Sequence, residues 1–475
     1  MRKIYLLLLP VLFLAAKCTE ENAADLPNIV LINVDDLGWK DVGFNGSCYY
    51  ETPNLDRLAK ESVRFTNAYA GAANCAPSRA CMMSGQNTPR HGIYTVGSSE
   101  RGNAKTRRII PTLNTLELPA EQLTLAEALK THGYTSCSVG KWHLGDDPRT
   151  QGFDENVAGT TAGHPKSYFS PYKNPNLPDG PEGEYLTDRI TTEAIDFIET
   201  NKEKPFFLYL PFFTIHTPLQ GKEALVEKYK KKEKLDGQGR NPNYAAMVET
   251  MDASVGRILT TLDELKLDNT ILIFTSDNGG ISFQSRQHPL RAGKGSYYEG
   301  GIRVPLLVRW KTKIKKAWTT EMPVTNMDFF PTLLDLIGIE KPADKLLDGH
   351  SLANVLLKQE VMEERPLFWH FPIYLQAYRV GGDESRDSLF RTRPGSVVRL
   401  GDWKLHQYFE DGALELYNLK EDVGEKNNLA SANPDKVTEL LDVLDEWRTS
   451  TNAPVPTVAN PDYVEDFVPK PRKRG

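Results

Sequence analysis

Residues 28–36 read NIVLINVDD, a short run of apolar character that ends in two adjacent acids. A continuous run of this kind is the pattern of a strand buried on both faces of a parallel sheet, where no solvent face imposes alternation. The pattern recurs at 136–139, at 206–212 (FFLYLPF) and at 270–275 (TILIFT). Helical periodicity separates these runs, at 53–61, 77–84, 124–131, 185–201 and, over the longest stretch, 244–265. Strands alternating with helices predict a doubly wound α/β sheet. After about residue 358 the texture shifts to short strands at 397–400, 404–407 and 414–418, parted by Gly-Asp and Asp-Gly turns and followed by a helix over 434–449. That predicts a small antiparallel sheet with one covering helix. The expected division is 25–360 for a large α/β unit and 361–475 for a smaller one, whose tail from Ala453 is an extended strap or disordered.

A chain of 475 residues, 40% of them hydrophobic, holds enough apolar material for one large core and a smaller one. Its 57 basic and 63 acidic residues leave a net charge of −6, so no general positive field is available to hold a nucleic acid. An anionic ligand would have to be met by a local basic pocket. The first residues, MRKIYLLLLPVLFLAAKC, combine two cations, an apolar run over 4–16 too short to span a bilayer, and small residues, which reads as a secretory signal over 1–24. Cys18 resembles the lipidated cysteine of a bacterial lipoprotein, although Lys17 replaces the usual small residue, so simple cleavage and a lipid anchor both stay open. The expected location is secreted, in a bacterial periplasm or at the cell surface, with membrane contact only through a lipid on Cys18. Five cysteines, at 18, 48, 75, 81 and 137, are too few for a disulfide framework.

Ligands of an open parallel sheet bind beyond the carboxyl ends of its strands. The first strand ends in Asp35 and Asp36 and the 270–275 strand in Asp277 and Asn278, while the 136–139 run leads to Lys141 and His143 and the 206–212 run to His216. Asp35, Asp36, Asp277 and Asn278 offer only hard oxygen donors, a set for Ca²⁺ or Mg²⁺ rather than zinc. Either pair alone also suits a helix cap or a turn. In GAANCAPSRACMMSG, residues 71–85, Pro77 fits the first turn of a helix, which puts Cys75 near a helix N-terminus that favours an anion. Arg79 follows one turn later on the same face. Cys48, Cys81 and Cys137 read as small buried hydrophobes or halves of a disulfide, and the histidines other than 143 and 216 as mostly structural, with His164, His288 and His370 in segments that could line a pocket mouth.

CAPSR followed by Gly85 resembles the type I sulfatase signature, in which a maturation enzyme oxidises the cysteine to formylglycine. NIVLINVDDLGWKDVGFNG, ETPNLDRLAKESVRFTNAYA, VGKWHLG, FFLYLPFFTIHTP, FTSDNGG, RAGKGSYYEGGIRVP and LYNLKEDVGEKNNLA are similar to sulfatase segments and stand in sulfatase order. The resemblance implies an alkaline phosphatase-like α/β/α sandwich with a smaller C-terminal antiparallel-sheet domain. It implies Asp35, Asp36, Asp277 and Asn278 as ligands of a cation, Ca²⁺ ahead of Mg²⁺, with an oxygen of modified Cys75 completing the set. It further implies a formylglycine hydrate as nucleophile, Arg79 fixing that residue, and His143 as the base that triggers collapse of the hydrate. Lys141, His216 and Lys294 would bind sulfate, the last two also protonating the leaving oxygen. The implied partners are a sulfated carbohydrate, such as an algal polysaccharide or glycosaminoglycan, and a formylglycine-generating enzyme. Loops at 98–108, 163–184, 222–243 and 372–393, the last with Arg379, Arg386, Arg391 and Arg393, are the expected sources of substrate choice. A phosphate or phosphonate ester hydrolase of the same superfamily and a non-catalytic carbohydrate-binding surface protein remain as alternatives.

Overall fold

The computed structural model describes residues 26–232 and 241–469. The expected signal over 1–24, with Cys18, lies outside the described residues, and among those described no helix is long and apolar enough to cross a membrane. The large sheet is built from β1 (Asn28–Val34), β2 (Val63–Tyr69), β3 (Thr135–Val139), β4 (Glu155–Val157), β5 (Phe206–Pro211), β6 (Thr270–Ser276), β7 (Arg303–Arg309), β8 (Trp318–Thr320) and β9 (Val324–Thr325). Their order is β4-β3-β5-β1-β6-β7-β2-β8, with β9 also beside β2. β4, β3, β5, β1 and β6 pair in parallel, and β7 runs antiparallel to both β6 and β2. Every residue of β1, β5 and β6 is buried, as unbroken apolar runs require when both sheet faces are covered. Val30, Ile32 and Val34 face one way, with Leu208, Leu272 and Phe274, onto the helices Leu186–Asn201 and Pro242–Glu264. Ile29 and Leu31 face the other way, with Phe207 and Ile273, onto Cys75–Ser84 and Phe329–Leu336. The result is the α/β/α sandwich.

The second sheet, β10 (Leu367–Phe371), β13 (Gly395–Leu400), β14 (Trp403–Tyr408) and β15 (Leu414–Asn418), is antiparallel in the order β10-β13-β14-β15, and a two-stranded ribbon joins β11 (Leu375–Gln376) to β12 (Phe390–Thr392). The helix Pro434–Thr451 covers one face, packing Leu440, Leu444 and Trp447 on Phe368, Val398 and Leu405. The other face lays Trp369, Phe371 and Val397 against Tyr69, Tyr94 and Ile302 of the large unit. A buried ion cluster ties the two units: Lys404 on β14 lies 2.9 Å from both Glu299 and Glu425. Beyond the helix the tail is a strap over the 104–110 loop, where Ile110 N donates to Val458 O (2.8 Å) and Asn460 N to Arg108 O (2.9 Å).

Four elements depart from the sequence reading. β2 and β7 were invisible to an apolar-run search because β2 alternates and β7 carries Pro305. The pairing is irregular there, with Leu306 opposite Phe65 and Val304 opposite Ala68, so Pro305 sits where a ladder donor is dispensable. Residues 222–243 are not simply a charged loop. They include the helix Glu223–Lys231, which buries Val226 and Tyr229 and pairs Lys228 with Glu51 and Glu249, while 233–240 lie outside the described residues. The helix expected from Pro77 begins at Cys75 itself, with Asn74 in the extended N-cap conformation.

Candidate active site

The parallel register brings the carboxyl ends of β1, β3, β5 and β6 to one edge, together with the end of β2 and the loop that enters β7. Asp35 and Asp36 follow β1 and Asp277 and Asn278 follow β6, all four fully or nearly fully buried. Asp36 takes a left-handed backbone (φ 63°), one that Asp tolerates better than most residues, and its N–H donates to Asp277 Oδ1 at 3.2 Å. Cys75 opens the helix that leaves β2, and Gly85 closes it. Gly85 has φ +66°, donates its N–H to Cys81 O, and leaves room for Leu347, whose Cδ2 would lie 2.7 Å from any added Cβ. That explains a glycine ten residues after the cysteine.

The charged side chains interlock. Arg79, wholly buried, donates through Nε to Asp277 Oδ2 (2.9 Å) and through Nη1 to Lys141 O (2.7 Å). Lys141 Nζ donates to Asp35 Oδ2 at 2.7 Å. Lys294 Nζ bridges Asp36 Oδ1 (2.6 Å) and Cys75 Sγ (3.2 Å). His216 Nε2 lies 3.7 Å from Asp36 Oδ2, while its Nδ1 bonds Thr217 O. His143 lines the same cavity as Cys75, and its buried Nδ1 has no hydrogen-bond partner among the described residues. All ten residues singled out in the sequence therefore converge.

Burial dominates the electrostatics. It pushes the Asp35 carboxyl up to about 8 against the opposing charge of Lys141, with Asp277 and Asp36 adding to the rise. Burial acts the same way on Asp36, but there Lys294 and His216 outweigh it and hold the carboxyl below its ordinary range. Burial and the nearby Lys294 charge bring His216 down to about 3, and burial with Lys141 and Arg79 holds His143 well below its usual value, so both rings are neutral bases at pH 7. Lys294 is held charged: burial opposes the charge, and Asp36 and Cys75 more than compensate. Burial raises the Cys75 thiol, so the unmodified side chain is a poor thiolate.

Three acceptor oxygens at this edge, Asp35 Oδ1, Asp36 Oδ2 and Asn278 Oδ1, are buried without a hydrogen-bond donor among the described residues. An orphaned buried acceptor is costly, and three such oxygens following β1 and β6 at the same sheet edge fit a hard cation. One ligand atom each from Asp35, Cys75 and Asp277 lies within 4.8 Å of the others, and so does one each from Asp36, Cys75 and His216. With Asp35 ionised, as a bound cation would favour, the acids Asp35, Asp36 and Asp277 are matched one for one by Arg79, Lys141 and Lys294. A dication would therefore make the floor positive, as an anionic ester needs.

Sequence reasoning missed the support behind this edge. Asp41 accepts from Gly38 N (2.9 Å), Tyr244 Oη (2.5 Å) and Ser285 Oγ, and Tyr244 also reaches Asp36 O at 3.3 Å. Its only signal was one more acid shortly after the Asp pair. Of the three histidines in segments that could line the mouth, His164 lines the cavity and stacks on His216 with centroids 5.9 Å apart. His288 lines a different cavity, and His370 is buried between Ser396 and Pro454 O.

A mixed sheet with an oxygen-donor cluster, a cysteine at a helix start and three converging cations is the frame of a hydrolase of anionic esters on an alkaline phosphatase-like fold. The sulfatase family model matches residues 27–339, and the model for the C-terminal part of N-sulphoglucosamine sulphohydrolase matches 293–449. A sulfatase of Formosa agariphila is 34% identical over 93% of this chain and 92% of its own. The N-acetylgalactosamine-6-sulfatase of Mus musculus is 34% identical over 75% of this chain and 71% of its own. The crystal structure of Ps i-CgsB, also solved with k-i-k-neocarrahexaose, superposes with a TM-score of 0.73 at 30% identity, covering 89% of this chain and 92% of that one. A phosphonate monoester hydrolase of Agrobacterium radiobacter, at 20% identity and a TM-score of 0.67, shares the fold. The chain belongs to the type I sulfatase family and is a sulfuric ester hydrolase.

Proposed function

We propose that the protein is a secreted, formylglycine-dependent sulfatase that removes sulfate from a carbohydrate and holds Ca²⁺ at Asp35, Asp36, Asp277 and Asn278. The observation that carries this reading is the meeting, around Cys75 Sγ, of Lys294 at 3.2 Å with ligand atoms of Asp35, Asp36 and Asp277, beside buried oxygens of Asp35, Asp36 and Asn278 that lack donors among the described residues. Sulfur at position 75 marks where the oxygens of formylglycine would stand. Formylglycine at position 75 would supply a hydrated aldehyde, a nucleophilic hydroxyl for sulfur with a second hydroxyl through which sulfate could be released once the alcohol has left. The cation supplies neutralisation of the sulfate oxygens. Arg79 fixes Asp277 and, through Lys141 O, the loop after β3. Lys141 and His216 flank the sulfate position. Lys294, held protonated, is the donor for the leaving alcohol. His143, held neutral with Nδ1 free, is the base that takes the hydrate proton.

Carbohydrate is favoured over aryl or steroid esters because the relatives at 30% identity or more include an N-acetylgalactosamine-6-sulfatase and a structure holding k-i-k-neocarrahexaose, whereas the steryl-sulfatases are 28–29% identical. The reading includes export by the 1–24 signal, with Cys18 either lipidated or removed, maturation of Cys75 by a formylglycine-generating enzyme, and a division into a catalytic unit over 25–360 and a smaller unit over 361–475. A sulfate-release panel across sulfated galactose, galactosamine and glucosamine oligosaccharides tests it. Release from at least one sugar, lost in Cys75→Ala, is expected; release undiminished in that variant would overturn the nucleophile.

A further inference from the structure

The cavity over Cys75 has a volume of about 560 Å³, room for a sugar with its substituents. The two basic segments near it, 98–108 and 372–393, hold many cations, and the structure sorts them. Arg386 pairs with Asp411, Arg393 with Asp387 and Glu410, and Arg107 with Glu100, while Arg379 lies over the Phe283 ring. Arg101 and Arg391 are different: both line the catalytic cavity, and among the described residues neither has a carboxylate partner.

Arg391 is only 6% exposed. Its Nε donates to Gln376 O (3.0 Å) and its Nη1 to Lys294 O (3.1 Å), and its guanidinium lies 3.5 Å from the centroid of Tyr378, another cavity residue. These contacts leave Nη2 uncommitted. Gly295, at φ +84°, makes way for it, since a Cβ there would come within 2.7 Å of Nη1. Arg101 donates Nη2 to Val96 O and leaves Nε and Nη1 uncommitted. Burial lowers the Arg101 guanidinium from its ordinary value and the Arg391 charge lowers it further, so the two cations repel across the cavity. The cavity's acid, Glu117, is exposed and forms no ion pair with either. Two semi-buried like charges without a counter-ion are unfavourable unless a ligand anion fills the gap.

We propose that Arg101 and Arg391 clamp a second anionic group of the substrate, a sulfate or carboxylate borne on the same or the adjoining sugar as the sulfate that is cleaved. Resting on the sulfatase reading above, this narrows the substrate class to glycans with at least two negative groups. Lys294 links the two functions, because its Nζ contacts Cys75 while its carbonyl holds Arg391.

The test compares N-acetylgalactosamine 6-sulfate with N-acetylgalactosamine 4,6-disulfate, which differ by one anionic group. Sulfate release is measured for wild type, Arg101→Gln, Arg391→Gln and Arg391→Lys, and dissociation constants are measured by calorimetry on Cys75→Ser protein with and without Arg101→Gln. Wild type should favour the disulfate in kcat/KM by roughly 10- to 100-fold, the range of charge-assisted hydrogen bonds. Either glutamine variant should bring that ratio towards one, and Arg391→Lys should restore it in part, having charge without the fork. A wild-type ratio near one, or a ratio unaltered in Arg101→Gln, overturns the clamp, and Arg101→Gln decides alone should Arg391→Gln misfold. No turnover of either sugar would count against the parent sulfatase reading, whereas the ratio of dissociation constants on Cys75→Ser protein still reads the clamp.

Discussion

Replacing Lys404 with methionine probes how the two sheets are joined. Glu299 and Glu425 are both fully buried, and Lys404 Nζ is 2.9 Å from each. Glu299 keeps secondary support from Tyr69 Oη (2.8 Å) and Arg303 (3.4 Å), while Glu425 keeps His406 (3.3 Å) and the Glu299 N–H (2.6 Å). Methionine matches the lysine stem in volume, so the loss is electrostatic: two carboxylates share one missing cation in a medium that cannot screen them. Breaking one buried pair costs about 3–5 kcal/mol, and the remaining donors keep Lys404→Met within that range rather than at twice its value. Urea unfolding at pH 7.5, followed by tryptophan fluorescence, is the assay. Adding Glu425→Gln should recover about half of the loss, because an amide needs no counter-charge. The pH dependence has a definite sign. Burial raises the Glu299 carboxyl, but Lys404 and Arg303 outweigh it and bring it to about 2, below its ordinary 4.5. Its contribution is therefore present above pH 4.5 and lost as pH falls towards 2, and Lys404→Met should flatten that stretch of the stability curve. A loss below about 1 kcal/mol, or no recovery with Glu425→Gln, would refute the ion-cluster account.

Burial brings His370 down to about 3 from 6.5, so the unfolded chain binds its proton first and stability falls as pH drops from 6.5 towards 3. His370→Asn should remove about 1 kcal/mol of the stability difference between pH 7 and pH 5.5, measured by urea unfolding at both. Asn460 Nδ2 donates to Ala104 O (2.9 Å) and Arg107 O (2.7 Å), so Asn460→Ala should speed amide exchange at 105–110 by roughly ten-fold while β6 stays protected. Chelation should abolish sulfate release, and Ca²⁺ at about 100 times its dissociation constant should raise unfolding stability by about 2.7 kcal/mol. Asp36→Ala and Asn278→Ala should each erase that gain in thermal-shift assays, and a gain preserved in both would rule out these ligands.

What the sequence made legible follows from locality. The Asp35–Asp36 and Asp277–Asn278 pairs could be read because each directly ends an apolar run, and the edge of a parallel sheet is where such ends meet. Arg79 could be read from its spacing to Cys75 within one helix. Lys294 sits in an irregular loop with no periodicity, and only resemblance to the family pointed to it. Which arginines of 372–393 remain free could not be read at all, because the partners that neutralise the others, Glu410 and Asp411, come from a later segment brought near by folding. The same limit hid β7, whose pairing with β2 spans more than 200 residues, and the partners of His370, Ser396 and Pro454, which are remote in sequence.

The central claim is that residue 75 reacts as formylglycine, and peptide mass spectrometry of protein from its native host, paired with sulfate release from the same sample, tests it most directly. The peptide containing residue 75 should be about 18 Da lighter than its cysteine form, with activity proportional to the converted fraction. Full sulfate release from protein whose Cys75 is wholly unconverted would contradict the account.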